Sequence, residues 1–343
     1  MERKKLFNPE GTEDVSQRRL INGNTTNLFN LNNVKYQWAN QLYRAMMENF
    51  WVPEKVNLLD DVNDYKKLPK AEKEAYDGIL SFLVFLDSIQ TNNLPNISQY
   101  ITAPEVGLIL AIQTFQEAIH SQSYAYTIES IIDKEARDTI YEKWRDDKVL
   151  FERNEYIAKI YQDFIDDPTD KNFFRSLVAN FLLESLYFYN GFTFFYLLSF
   201  RSTMNGTADI IRYINRDELT HVVLFKNLIN DLKKETDLFD EEMIYDMFKT
   251  AVKQEIEWTN HIIGNKVLGI TEASTEAYTK WLANDRLQMI GLKPLYSEFT
   301  ENPYKHLEAI ADTGGDGNVK ANFFESTVTS YNMSSAMDGW DSF

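Results

Sequence analysis

Cysteine is absent from this chain of 343 residues, which excludes disulfides and thiolate metal sites. No apolar stretch of about 20 residues lacks charge, and no apolar segment follows the charged residues 1–5, so we expect a cytoplasmic protein without a membrane span or secretion signal. The 13 glycines and 8 prolines leave few places to break a helix. A net charge of -17 disfavours binding to the phosphate backbone of nucleic acids.

Two Glu-x-x-His runs are the most informative feature that is present. They are Glu117-Ala118-Ile119-His120 and Glu218-Leu219-Thr220-His221, and they contain two of the chain's 4 histidines. On a helix, this spacing places both side chains on one face. Such a run on each of two helices, with one carboxylate from each of two others, is the ligand set of ferritin-like di-iron and di-manganese bundles. Either run alone is explained as well by an ordinary surface pair, so the interpretation depends on two further acids.

The first of these acids is Asp87, which precedes Glu117 by 30 residues. The midpoint between them, Thr102-Ala103-Pro104-Glu105, has the pattern of a capping box with proline in the first turn of a helix. If the chain reverses there, the two acids lie at the same height on adjacent antiparallel helices.

The second acid is Glu184, which precedes Glu218 by 34 residues. The midpoint between them is Arg201, and the helical pattern is interrupted just after it by Ser-Thr-Met-Asn-Gly, where the chain could again reverse. Asp87 and Glu184 stand alone in apolar and aromatic sequence, where an unpaired carboxylate is costly to bury. We therefore predict an all-α, ferritin-like helical bundle with a dinuclear metal site in its core. The predicted ligands are Asp87, Glu117, His120, Glu184, Glu218 and His221. Such hard ligands suit iron or manganese better than zinc or copper, and we expect iron, with manganese as the alternative.

Three regions are predicted along the chain. Residues 1–29 form a polar and irregular arm, residues 30–311 form the di-metal domain, and residues 312–343 form a flexible tail. The tail carries Phe, Tyr and Trp among Ser, Thr and Gly. It is either a frayed terminus or a segment that orders on a partner, and its aromatic residues favour the second interpretation.

Taken together, these motifs resemble the small (beta) subunit of class I ribonucleotide reductase, and the resemblance covers nearly the whole chain. The matching segments are Leu86-Asp87-Ser88-Ile89-Gln90, the run from Glu117 to Tyr124, Glu184 with Phe188, Arg216-Asp217-Glu218 with His221, Arg286-Leu287-Gln288-Met289-Ile290-Gly291-Leu292, and the tyrosine in the tail. Any one segment is weak evidence, whereas their ordered combination is specific.

The resemblance implies roles for residues that spacing alone leaves unassigned. Tyr124, one turn after His120, would carry a stable tyrosyl radical, although a buried tyrosine is by default only a packed aromatic residue. Trp51 and Asp217 would be the first links of a radical-transfer path, with a core tryptophan as the ordinary alternative for Trp51. Tyr331 would relay the radical to the large subunit. The residues implied to wall the radical are Phe188, Phe192 and Ile214.

The implied function is that of the radical-generating small subunit of ribonucleoside-diphosphate reductase. It would be a homodimer that binds the large (alpha) subunit through the tail, and oxygen or a reduced oxygen species would activate its two metal ions. A manganese form would need a flavoprotein activase. No nucleic-acid or membrane partner is expected.

Two alternatives remain, a related di-metal oxidase or monooxygenase that acts on a small molecule, and a ferritin-like metal-storage bundle. Trp51, Asp217 and Tyr331 argue against the first, and the chain length argues against the second.

Overall fold

A computed structural model describes residues 1–307, and within them the fold is a helical bundle. The helices are α1 (Gln37–Glu48), α2 (Leu59–Lys67), α3 (Lys70–Ser98), α4 (Pro104–Ile131), α5 (Lys134–Asp146), α6 (Lys148–Asp166), α7 (Asp170–Leu182), α8 (Tyr189–Phe200), α9 (Asn205–Glu235), α10 (Glu241–Ile262) and α11 (Glu272–Met289). A π-helical turn (Leu183–Tyr187) joins α7 to α8, and the segments Val15–Gln17 and Pro53–Lys55 are 3-10 turns. Two isolated β-bridges are the only strand-like pairing in this part of the chain. The all-α prediction is confirmed.

Three long helices dominate the core. Helices α3, α4 and α9 contain 29, 28 and 31 residues, which makes each about 40 Å long at 1.5 Å per residue. Helix α3 packs along α4, and α9 packs against α4, α7 and α8. The predicted reversals after α3 and before α9 both occur, so that acids far apart in sequence reach one level of the bundle.

The capping box predicted at residues 102–105 is wrong, although the chain does reverse there. Helix α4 begins at Pro104, but no side chain caps its first turn. The Thr102 hydroxyl instead donates to the carbonyl of Arg19 at 2.8 Å. The buried Glu105 carboxylate accepts from Arg18 at 3.3 Å. Contacts with the amino-terminal arm have replaced the local cap that the sequence pattern indicated.

The start of α9 depends on a residue far away in the sequence. Met204, just before the helix, has a left-handed φ of 54°. The buried Asp61 carboxylate then accepts from the backbone N–H groups of Gly206, at 3.0 Å, and Thr207, at 2.6 Å. A Cβ at Gly206 would lie 2.5 Å from the carbonyl oxygen of Asn57, so only glycine fits there. This tertiary cap fixes the helix that carries Glu218 and His221.

The amino-terminal arm is irregular and packs on the bundle. Its Leu20 and Ile21 side chains are buried in the core, and the terminal ammonium of Met1 donates to the carbonyl of Pro168 at 2.7 Å. Within residues 1–307, no helix has the length and apolar character needed to cross a bilayer. The predicted tail, including Tyr331, lies outside the described residues.

Candidate metal centre

Four segments of the bundle bring six fully buried side chains together. The segments are α3, α4, the π turn and α9, and the side chains are Asp87, Glu117, His120, Glu184, Glu218 and His221. They form two groups, in each of which the potential ligand atoms lie within 4.8 Å of one another. The first group is Asp87, Glu117, His120 and Glu218, and the second is Glu117, Glu184, Glu218 and His221. Glu117 and Glu218, the shared glutamates, belong to both groups.

The two histidines face the shared glutamates in the same way. The Nδ1 atom of His120 lies 3.1 Å from one oxygen of Glu218, and the Nδ1 atom of His221 lies 2.9 Å from the other. The carboxylate that belongs to one group only is also close in each case. His221 Nδ1 lies 3.5 Å from Glu184 Oε2, and His120 Nδ1 lies 3.9 Å from Asp87 Oδ2. The geometry therefore offers two adjacent cation positions, each with one imidazole nitrogen and with carboxylates between them.

The outer nitrogen of each histidine has an oxygen partner. His120 Nε2 lies 3.2 Å from Asp217 Oδ2, and His221 Nε2 lies 3.0 Å from the amide oxygen of Gln116. Because both oxygens can only accept, each Nε2 carries a proton and donates. This arrangement leaves the Nδ1 lone pairs available to a metal and fixes both ring orientations.

Two glutamines orient Glu184, and sequence reasoning did not single them out. Gln113 donates to Glu184 Oε1 at 2.9 Å, and Gln90 donates to the same oxygen. The other oxygen, Oε2, faces the cluster without a hydrogen-bond partner. A usable signal was present, since Gln113 lies four residues before Glu117 and therefore on the same helix face.

The polar atoms that lack partners test whether a metal pair fits this site. Both oxygens of Asp87, one oxygen of each of the three glutamates and Nδ1 of His120 are buried without a hydrogen bond. Leaving such groups unsatisfied is costly, and cations at the two positions would remove the cost. The four carboxylates could contribute four negative charges, which two divalent ions would balance. Carboxylate oxygens with one imidazole per ion suit iron or manganese, so the residues fit a di-metal centre.

The electrostatics of the metal-free cluster reflect crowding of like charges. Burial, followed by the charges of the shared glutamates, raises the pKa of Asp87 and of Glu184. Burial alone would lower the pKa of His120 and His221, but the surrounding carboxylates outweigh it and raise both pKa values. For Glu218, burial opposes ionisation, yet the two histidines hold its pKa below the ordinary value.

Tyr124 lies one turn beyond His120 on α4 and is fully buried. Its hydroxyl makes no hydrogen bond of good geometry, although the Asp87 carboxylate lies close enough to act on it. Burial, and then the charge of Asp87, raises its pKa. The predicted wall residues are also buried, with the rings of Phe188 and Phe192 stacked at 5.8 Å and Ile214 on α9.

A hydrogen-bonded chain links Trp51 to the histidine of the first group. The indole N–H of Trp51 donates to Asp217 Oδ2 at 2.8 Å, and the same oxygen accepts from His120 Nε2. All three side chains are buried, and the Trp51 ring also stacks on Tyr213 at 5.2 Å. Because Asp217 precedes Glu218 on α9, it points away from the metal positions and reaches the outer face of the imidazole instead.

The helix around Glu184 differs from the continuous α-helix that the sequence reasoning assumed. Leu183–Tyr187 form a π turn, in which hydrogen bonds run to the fifth residue and the helix is widened. All five residues are buried. Such turns are rare and occur frequently at functional sites.

Comparisons with known proteins agree with this geometry. The family model described as "Ribonucleotide reductase, small chain" matches residues 28–303. The chain is 44% identical to the ribonucleoside-diphosphate reductase subunit beta of Treponema pallidum (strain Nichols) over 98% of this chain and 97% of that protein. It is 36% identical to the subunit of the same name in Halalkalibacterium halodurans, over 99% of both chains. The solved ribonucleotide reductase R2 subunit from Clostridium botulinum is similar with a TM-score of 0.88 and 46% identity, covering 91% of this chain and 99% of that one.

Proposed function

This chain belongs to the small-chain family of ribonucleotide reductase, and we propose that it generates and holds the radical used by a ribonucleoside-diphosphate reductase. The observation that carries the proposal is that two buried Glu-x-x-His runs face each other in the core and that a buried tyrosine, Tyr124, lies one helical turn after the histidine of the first run. In this function the chain is one half of an enzyme, because the reduction of ribonucleotides to deoxyribonucleotides takes place on the large subunit.

The six buried ligands would hold two metal ions. One ion would bind among Asp87, His120 and the shared glutamates, and the other among Glu184, His221 and the same glutamates. When bound, the ions would supply the redox chemistry by which oxygen or a reduced oxygen species provides one oxidising equivalent to the protein. Iron is the first candidate and manganese the second, since the oxygen-rich donor set suits both.

Tyr124 would store the oxidising equivalent. Its side chain gives up one electron and its phenolic proton and becomes a neutral tyrosyl radical. Of the nearby carboxylates, Asp87 has the largest effect on the pKa of the Tyr124 hydroxyl, so it is the candidate acceptor of the phenolic proton. The full burial of Tyr124, together with the apolar Phe188, Phe192 and Ile214, supports exclusion of water and reductants from the radical.

Radical transfer would leave the centre through the chain of Trp51, Asp217 and His120. The Asp217 carboxylate holds the indole N–H and the imidazole N–H on one oxygen, which couples the two rings. From there, Tyr331 in the tail would relay the oxidising equivalent to the large subunit. We accordingly propose that residues 30–311 form the metal-binding body and that residues 312–343 dock on the large subunit.

A second copy of the chain is the partner proposed for an exposed apolar patch. The patch consists of Met47, Phe50 and Phe115, which are 50%, 65% and 44% exposed, and its two phenylalanine rings stack at 6.1 Å. Contiguous apolar patches on a protein surface are often covered by another protein. This patch supports the homodimer. A manganese form would need a flavoprotein activase as a further partner.

The test is electron paramagnetic resonance after loading with Fe²⁺ or Mn²⁺ and an oxidant. We expect a tyrosyl signal in the wild type and none in Tyr124→Phe, which removes only the hydroxyl and keeps the packing. The control is Tyr76→Phe, since Tyr76 is equally buried but its hydroxyl bonds to Thr207. An unchanged signal in Tyr124→Phe would show that another residue carries the radical. A di-metal oxidase would turn over a small substrate without a large subunit, and a storage bundle would accumulate metal beyond two ions.

A further inference from the structure

Two arginines from distant helices hold the π turn that carries Glu184. Arg286 of α11 donates through Nε to the carbonyl of Ser185 at 3.2 Å, and Arg153 of α6 donates through Nη2 to the carbonyl of Tyr187 at 2.7 Å. The two carbonyls lie one and three residues after Glu184. Both arginines are buried, with 6% and 1% of their surface exposed. The backbone next to this one ligand is therefore fixed by two side-chain donors.

Arg153 is itself rigidly placed. It donates to Glu255 Oε2 through Nε at 3.0 Å and through Nη2 at 2.7 Å. Its guanidinium lies 4.6 Å from the ring centres of both Phe82 and Tyr187. Burying an ion pair is rarely favourable compared with apolar packing, so its presence beside the π turn calls for a specific role. Removal of Arg153 would leave Glu255 buried and uncompensated, which makes this residue a poor first choice for mutation.

Mutation of Arg286 perturbs the π turn with fewer side effects than mutation of Arg153. Its guanidinium lies 5.2 Å from the ring of Tyr189, and Nη1 pairs at 2.6 Å with Asp285, whose side chain is 44% exposed. A neutral residue at this position would remove the ion pair of Asp285, an acid that water can still reach. It would also remove the Nε–H donor from the buried carbonyl of Ser185.

We propose that Arg153 and Arg286 are positioning residues that lock the π turn and thereby keep Glu184 Oε2 directed at the second cation position. The physical reason is the register of the helix. If the π turn relaxed to α-helix, a shift of one residue would rotate the Glu184 side chain by about 100°. Gln90 and Gln113 hold the carboxylate head, and the arginines hold the backbone from which it projects. This role rests on the proposed di-metal centre.

The first experiment is a double-mutant cycle that compares the Mn²⁺ affinities of full-length variants. The affinity is measured by titration, from the decrease of the electron paramagnetic resonance signal of free Mn²⁺. Arg286→Gln should weaken one of the two binding steps about tenfold or more, as loss of a residue that supports a metal ligand does. In the Glu184→Ala background, where the step that depends on Glu184 is already lost, Arg286→Gln should change the remaining step less than about twofold, because the ligand that Arg286 positions is gone. Arg286→Lys, which keeps a donor, should recover most of the affinity.

Arg175→Gln is the matched control. Arg175 lies on α7, eight residues before the π turn, and its partner is the partly exposed Asp163 at 3.4 Å. It should bind Mn²⁺ like the wild type. Equal affinities in Arg286→Gln and wild type would overturn the proposal. Two further results would overturn it. One is an equal loss of Mn²⁺ affinity at both binding steps together with a lowered melting temperature. The other is a loss of affinity from Arg286→Gln that is as large in the Glu184→Ala background as in the wild type.

A second measurement does not depend on metal. Amide hydrogen exchange of the metal-free protein should be faster at residues 183–187 in Arg286→Gln than in wild type, with helices α3 and α4 unchanged. Unchanged exchange in that segment would refute the lock. A wild-type protein that fails to bind two Mn²⁺ ions would refute the di-metal centre instead, and the exchange experiment would still decide whether Arg286 holds the turn.

Discussion

Metal loading should release protons, so the affinity for metal should rise steeply with pH. The pKa values of Asp87, Glu184, His120 and His221 are all raised in the metal-free protein. Raised pKa values favour the protonated form of all four groups in the metal-free protein, whereas a metal ion binds only their unprotonated forms. Two divalent ions should therefore displace up to about four protons, or up to about two for each ion.

The size of the effect follows from that count. One proton changes a binding free energy by about 1.4 kcal/mol per pH unit, so four protons change the sum for both ions by about 5 kcal/mol. This corresponds to about a hundredfold in affinity per ion for each pH unit. Glu218, whose pKa is lowered, stays ionised over this range and adds no proton.

The stability of the metal-free protein should move in the opposite direction. A group whose folded pKa is raised contributes stability that is complete below its unfolded pKa and is lost as the pH rises through its folded pKa. The unfolded values are about 4 for the two acids and about 6.5 for the two histidines. The metal-free protein should therefore unfold more easily as the pH is raised above about 4, where the two acids begin to act, and more steeply above about 6.5, where the two histidines add to them. The loaded protein should meanwhile become harder to strip of metal.

The assay is a titration of metal-free protein with Mn²⁺ in weakly buffered solution with a pH indicator, repeated by calorimetry in two buffers of different ionisation enthalpy. The absence of cysteine removes thiols as a source of protons. Asp77→Asn is the control, since burial raises the pKa of Asp77 to about 6 but it pairs with Tyr65 outside the metal site. That variant should release as many protons as the wild type. Release of fewer than about two protons, or an affinity independent of pH between about 6.5 and 7.5, would refute the charge assignment.

Three further predictions concern the ligands, the transfer chain and the tail. Glu184→Ala should lose at least one of two metals while circular dichroism keeps its helical signal, and two metals per chain in that variant would contradict the ligand set. Asp217→Asn should keep the Tyr124 radical but lower deoxyribonucleotide production by about 10- to 100-fold with the large subunit, since a neutral amide oxygen accepts more weakly than a carboxylate from the two N–H groups. Truncation before Ala321 should leave metal and radical intact but weaken large-subunit binding in a pull-down titration. Tyr331→Phe should bind normally and lose turnover, and normal turnover would place the exit of the radical elsewhere.

The sequence alone was sufficient to predict the helical class and the six side chains that the bundle brings together. In a Glu-x-x-His run the two side chains lie on one face of a helix because of the helical pitch alone, so this placement does not depend on how the helices pack. The heights of Asp87 and Glu184 depended only on two chain reversals, and both reversals occur where the breaks in the pattern indicated. The resemblance to the reductase small subunit used the same residues, and the comparisons confirm that family.

The tertiary structure decided the hydrogen-bond partners of those six residues and of the backbone beside them. Gln116 meets His221 across 105 residues, and Arg286 meets Ser185 across 101 residues. Neither pairing follows from local periodicity, because it depends on how the helices pack and rotate against one another. The failed capping box has the same cause, since Thr102 and Glu105 bind the distant arm instead of their own helix. The π turn at Glu184 also lacks a local signature. We infer that an α-helix gives way to a wider turn there because side chains from α6 and α11 bind its carbonyls.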